Sequence, residues 1–139
     1  MNLQLITLSG VMLDSDIYQV NIPTPDGEIA VFPDHEALVT LAVPGMVRVH
    51  HRKDPNNSQV DLFAITGGVV EIANNKVKIL VDDAESGDTI SEEESRAALE
   101  RAIKMRDEAE SNLELEKAHE LISQQRIKLR VAELKRRKR

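Results

Sequence analysis

Up to about residue 81 the chain is written in short apolar runs separated by turn residues. Leu3-Gln4-Leu5-Ile6-Thr7 and Gln19-Val20-Asn21-Ile22 are alternating or β-branched, the two-residue period of half-buried strands. Further runs cover residues 29–32, 38–41, 46–49, 60–66, 69–72 and 77–81. Pro25-Asp26-Gly27 reads as a turn, because Pro presets φ, Asp caps its own backbone and Gly tolerates positive φ. Asn74-Asn75 predicts a two-residue hairpin, and the polar stretch 53–58 an exposed hairpin tip. Gly67-Gly68 lies between two strand runs and predicts a bulge or a close backbone approach. Many short strands at regular spacing predict a β-sandwich or barrel.

Residues 82–89 are polar and read as a linker, and beyond Gly87 there is no further Gly or Pro. The period then becomes helical. Ser91 with Glu94, and Ser111 with Glu114, are capping-box patterns in which a hydroxyl accepts from an orphan N–H and a Glu reaches back. Ala98, Ala102, Met105 and Ala109 form one narrow stripe suited to close packing. The expected organisation is mainly β then α: residues 1–84 a sandwich, 85–90 a linker and 91–139 two helices. Residues 111–114 are the one candidate break, and a bent hairpin and a single long helix both fit.

The second helical stretch has two apolar sides. At about 100° per residue, Leu115, Ala118, Leu121, Ile122, Leu129 and Ala132 share one face, while Ile127, Val131 and Leu134 lie opposite. Arg126, Arg130 and Arg137 line one flank; Lys128, Lys135 and Arg139 line the other. Two readings fit. The segment is a solvated helix end whose charges complement the macrodipole, or an arm that meets two partners in turn.

Charge sharpens that choice. The 139 residues carry a net −6, yet residues 126–139 hold eight Lys and Arg against Glu133 alone, a local +7 that leaves −13 on residues 1–125. An acidic body with a basic tip points to an acidic partner for the tip. No apolar run approaches the roughly 18 residues that a spanning helix needs. The opening MNLQLITLSGVML lacks a basic leader and a small-residue cleavage site, so no signal peptide is expected. The chain has no Cys, hence no disulfide, thiol nucleophile or thiolate metal site, which fits a reducing compartment. With only Tyr18, Phe32 and Phe63 as aromatics, recognition by base stacking is largely excluded.

Catalytic constellations are poor. His35, His50, His51 and His119 are scattered, and neighbours on a strand such as His50 and His51 point to opposite faces and cannot chelate one ion. Glu92-Glu93-Glu94 fits first-turn charges at a helix N-terminus better than paired catalytic acids. There is no nucleophile elbow, Walker-type loop or dinucleotide fingerprint. A non-catalytic module without a metal or resident cofactor is expected. The alternative from another class is a small acidic-bodied protein that binds nucleic acid, or another acidic partner, through its basic C-terminal helix.

Gly27-Glu28-Ile29-Ala30-Val31-Phe32-Pro33-Asp34-His35-Glu36-Ala37-Leu38-Val39-Thr40-Leu41, ending in Pro44-Gly45, resembles the signature G-E-(I/L)-G-(I/V)-x-P-G-H-A-P-L-(V/L)-T-x-L…P-G of the epsilon subunit of F-type ATP synthases. Ala64-Ile65-Thr66-Gly67-Gly68-Val69-Val70-Glu71-Ile72 and residues 75–85 resemble the family's second stretch, and Leu129-Arg130-Val131-Ala132-Glu133-Leu134 the last helix of bacterial members. The resemblance implies a sandwich of about ten strands followed by two helices. It implies a non-catalytic rotor subunit of the central stalk, coupling proton-driven rotation to ATP synthesis. The implied partners are the gamma subunit, the membrane c-ring and, transiently, the alpha and beta subunits of the catalytic head, with no nucleic acid. The implied place is the cytoplasmic or stromal face of the energy-coupling membrane, without a membrane span.

The resemblance also assigns residues. Glu28 and Phe32 map to the c-ring end, and His35 toward gamma. Arg126, Lys128, Arg130 and Arg137 would meet an acidic loop of the head when the helices extend to inhibit ATP hydrolysis. Asp34 and Ala30 stand where the family has Gly, and Glu36-Ala37 where it has Ala-Pro. Some members bind regulatory ATP through I-(D)-x-x-R-A, and here Arg96-Ala97 match. Counting back puts Glu93 at the acidic position and Glu92 at the Ile position, whereas counting forward from Ile90 puts Ser91 at the acid with two residues too many before Arg96. Three Glu beside a polyphosphate are unfavourable unless Mg²⁺ intervenes, so at most a weak ATP–Mg²⁺ ligand is expected at Glu93, Arg96 and Ala97.

Overall fold

The computed structural model describes residues 1–54, 56 and 59–137, so Pro55, Asn57 and Ser58 of the predicted hairpin tip, and Lys138 and Arg139 of the basic tip, lie outside the described residues. The chain divides into two compact units, Met1–Ser86 and Gly87–Arg139.

The first unit is a β-sandwich. Its strands are β1 (Asn2–Thr7), β2 (Gly10–Asp16), β3 (Gln19–Thr24), β4 (Gly27–Val31), β5 (Leu38–Ala42), β6 (Gly45–His50), β7 (Val60–Ile65), β8 (Gly68–Ala73), β9 (Lys76–Val81) and β10 (Ala84–Ser86). One sheet runs β2-β1-β9-β8-β5, the other β10-β7-β6-β3-β4. β1 and β9 pair parallel, and the other paired strands are antiparallel. Strict alternation drives the layering: β1, β3 and β9 bury every second residue. Leu3, Leu5, Ile22, Ile79, Val20 and Val47 of the two sheets meet with no solvent exposure. Each fully buried side chain of this kind contributes about 1.5–3 kcal/mol.

Turn chemistry fixes the register. Asn74 and Asn75 take φ of 52° and 61°, the left-handed pair that a tight primed hairpin requires. At Gly68 the predicted close approach is real: a Cβ there would collide with the Leu80 carbonyl of the neighbouring β9. Two strands depart from the sequence reading. β2 is an edge strand whose second half, Leu13-Asp14-Ser15-Asp16, is mostly polar. β10 lies in the stretch read as linker and is held by pairing with β7, extended by hydrogen bonds between Thr66 and Asp83.

The second unit is a helical hairpin, α1 (Glu92–Asp107) and α2 (Asn112–Arg137). Both capping boxes form on the hydroxyl side. Ser91 Oγ accepts from Glu94 N at 3.2 Å, and Ser111 Oγ from Glu114 N at 3.2 Å. Glu114 Oε2 accepts from Glu110 N at 2.9 Å, tightening the turn over residues 108–111. The chain therefore bends without Gly or Pro, because polar side chains satisfy the orphan N–H groups of α2. The small-residue stripe of α1 needs one correction. Ala102 is buried and Ala98 and Ala109 half-buried, but Met105 is 45% exposed. It lines a cleft of about 350 Å³ with Glu108, Glu114 and Lys117, where the turn separates the helix ends.

Candidate functional site

The expected rotor-contact residues sit on β4 and the loop after it. Glu28 on β4 accepts from Asn21 Nδ2 at 2.9 Å and lies 3.7 Å from Arg48 Nη2 on β6. This cross-strand group is half exposed, which limits it to about 0–1 kcal/mol. Phe32, 43% exposed just past β4, meets Tyr18 edge-on with centroids 5.8 Å apart and planes at 74°. The pair walls a cleft of about 330 Å³ that His50, Arg52 and Lys53 also line.

His35 stands apart from that cleft, on the crossing from one sheet to the other. Its Nδ1 donates to the Glu36 carbonyl at 2.6 Å. The crossing is pinned where Asp34 N donates to Asn75 Oδ1 at 3.0 Å. Asp34 keeps φ at 64°, so the residue standing in for glycine retains a glycine-like backbone at some conformational cost.

A larger surface escaped the sequence reading. Across the outer face of the β2-β1-β9-β8-β5 sheet, the register aligns Leu41 with Val69, Val69 with Leu80, Leu80 with Ile6, and Ile6 with Val11. Five apolar side chains thus cross all five strands in one row. Leu41 is 58% exposed, Val11 61% and Leu80 37%, and Leu8 and Met12 extend the row at the β1–β2 end. The adjacent row is polar from β8 onward: Glu71, Lys78, Gln4 and Asp14 follow Val39. There Asn2 Nδ2 and Gln4 Nε2 donate to the Asp14 carboxylate at 3.0 and 3.2 Å, holding its pKa below the ordinary carboxylate value. An apolar band with a polar border is the pattern of a protein-docking face. The available signal was loss of alternation, as in Ile79-Leu80-Val81 and Val69-Val70, which supplies apolar residues to both faces.

The basic helix is less free than its sequence suggests. Arg126 and Arg130 are exposed and make no ion pair among the described residues; Lys128 is half-buried and partnered. Arg137 is held by Glu133 at 2.7 Å. The opposite apolar side of α2 is not open to solvent: Val131 is fully buried, and Ile127 and Leu134 are half-buried. Val131 and Ala132 are both buried although adjacent residues point about 100° apart, so the covered arc widens toward the end of α2.

The residues expected to touch ATP lie one helical turn apart near the start of α1. Glu93 and Ala97 are exposed, and the Arg96 guanidinium is engaged by Glu92 Oε2 at 3.1 Å. Among the described residues no group of three His, Asp or Glu could hold a metal ion, and no helix is long and apolar enough to cross a membrane.

Residues 1–87 match the family described as ATP synthase, Delta/Epsilon chain, beta-sandwich domain. The chain is 33% identical over 137 residues to the ATP synthase epsilon chain of Herpetosiphon aurantiacus, covering 96% of this chain and 95% of the relative. It is 34% identical over 125 residues to the chloroplastic ATP synthase epsilon chain of Drimys granadensis, covering 85% and 90%. In fold it is similar to a chain in the Euglena gracilis mitochondrial ATP synthase assembly of OSCP, F1 and c-ring. That match has a TM-score of 0.75 at 22% identity and covers 95% of this chain and 79% of the other.

Proposed function

Since the chain belongs to the ATP synthase epsilon-chain family, we propose that it works in the central stalk as a rotor subunit that couples proton-driven rotation to ATP synthesis. The sandwich docks the gamma subunit and rests on the c-ring; the helical unit restrains ATP hydrolysis by the catalytic head. The observation that supports the docking most directly is the five-strand apolar row with its polar border. A row exposed to this degree, on a sheet whose other face is a complete core, suits a permanent partner better than water.

The residues fall into three roles under this reading. Leu41, Leu80 and Val11 supply apolar area toward gamma, and His35 is assigned toward gamma as well. Glu28 and Phe32 face the c-ring end. Arg126, Lys128, Arg130 and Arg137 supply positive charge toward an acidic loop of the head, and Arg126 and Arg130 are already exposed for it. No residue of the chain takes part in bond chemistry, and its place is peripheral, on the cytoplasmic or stromal face of the membrane. Nucleic-acid binding through the basic tip has less support, since residues 1–125 carry −13 and the chain offers only three aromatics for stacking.

The test is co-assembly. Full-length chain mixed with a gamma-containing head that lacks it is expected to elute as a 1:1 complex with gamma. Elution of the two as separate species refutes the docking.

A further inference from the structure

The hairpin places the end of α2 beside the start of α1, and charges of opposite sign meet there. Lys135 Nζ lies 3.6 Å from Asp88 Oδ1, and Arg136 Nη1 lies 3.4 Å from Glu92 Oε2. The same Glu92 oxygen accepts from Arg96 of its own helix at 3.1 Å, so one carboxylate bridges two guanidiniums from two helices. The Glu92 and Lys135 side chains are only 20% exposed, so these pairs are screened less than ordinary surface pairs. Each charge also suits its own helix end, Glu92 in the first turn of α1 and Arg136 in the last turn of α2.

We propose that Asp88 and Glu92 form an acidic clasp that holds the basic end of α2 inside the hairpin and competes with any external acidic surface for Lys135 and Arg136. The inference deepens the regulatory role proposed above and rests on that reading for its functional consequence. The basic segment is thereby split by function. Arg126 and Arg130 are exposed and make a first contact; Lys135 and Arg136 are released only when the hairpin opens. Opening exchanges internal carboxylates for external ones, so the electrostatic cost of leaving the hairpin is largely returned at the new partner. The switch can therefore be moved by small changes in either acidic surface.

The absence of Cys from the chain makes the clasp directly measurable. Glu93→Cys with Arg137→Cys, spin-labelled in the full-length chain, reports the distance between the start of α1 and the end of α2. Asp88→Asn with Glu92→Gln is expected to raise the long-distance population about two- to fivefold, the range for partly exposed ion pairs. Lys135→Gln with Arg136→Gln should do the same, and all four changes together should add nothing further, because both pairs of changes break one interaction. About 1 M salt should also open the chain carrying only the two labels, a readout free of clasp substitutions and their effects on folding. Unchanged distances in the variants and in salt, or effects that simply add, overturn the clasp.

In the parent complex, Asp88→Asn with Glu92→Gln should lower ATP hydrolysis, and the effect should vanish when the chain ends at Ser111. If truncation alone leaves hydrolysis unchanged, the inhibitory reading falls while the distances still decide the clasp. If truncation raises hydrolysis but the clasp variant behaves like the parent, the clasp falls alone.

Discussion

Replacing Leu41 and Val11 by Thr should weaken docking to the gamma-containing head without weakening the fold. Both lie on the outer row, 58% and 61% exposed, so the isolated chain derives little stability from them. Thr keeps the strand preference of these positions, and at Val11 it keeps the shape while exchanging a methyl for a hydroxyl. Full burial of a Val or Leu is worth about 1.5–3 kcal/mol, so covering the exposed part of each is worth about 1 kcal/mol. Losing both contributions amounts to about 2 kcal/mol, or about thirtyfold in Kd. Titration calorimetry of the full-length chain into the head reads the affinity, and thermal melting of the chain alone reads the fold. The expected result is the affinity loss with a Tm within about 2 °C of the parent. A Kd within about threefold of the parent would show that the apolar row does not face the partner, and the docking face would have to be sought elsewhere.

Three further outcomes follow from the sandwich. Gly68→Ala should destabilise the fold by at least about 2 kcal/mol, since the added methyl meets the backbone of β9 and no flexible side chain can yield; urea unfolding measures it. Asp34→Gly should stabilise by about 0.5 kcal/mol, raising Tm by about 2–4 °C, because it relieves a left-handed non-glycine residue while giving back some unfolded-state entropy. The carboxyl of Asp14 has its folded pKa lowered by hydrogen bonds from Asn2 and Gln4. Its stabilisation is therefore present above the unfolded pKa and is lost as pH falls through the folded value. Asp14→Asn should thus narrow its stability difference from the parent between about pH 5 and pH 2 in urea titrations, and a constant difference would refute the assignment.

The strands that read clearly in the sequence are those whose alternation carries the core, such as β1 and β9, where burial follows every second residue. β2 and β10 did not read because their stability is borrowed. β2 is an edge with a polar half, and β10 is three residues, Ala84-Glu85-Ser86, with no preference of their own until β7 pairs with them. Helix starts were legible because Ser91 and Ser111 act within four residues of themselves. Met105 misled because periodicity assigns it a face, whereas the turn at residues 108–111 decides whether anything covers that face.

Surfaces were the least legible. Val11 and Leu41 are brought into one row only by the registers of four strand pairings, and Glu92 meets Arg136 only once the hairpin closes. Composition does reveal the excess: Leu80 and Val69 supply more apolar residues than one core face can use. It does not reveal where that excess gathers.

The central claim, that this family member carries a sandwich for docking and a helical arm for restraint, is tested most directly by ATP hydrolysis in the parent complex. The comparison is between full-length chain and chain ending at Ser111, which removes α2 and leaves the sandwich intact. The account predicts faster hydrolysis with the shortened chain at equal occupancy of the complex. Equal rates at equal occupancy would contradict it, and would leave the basic end of α2 as a helix terminus without a regulatory role.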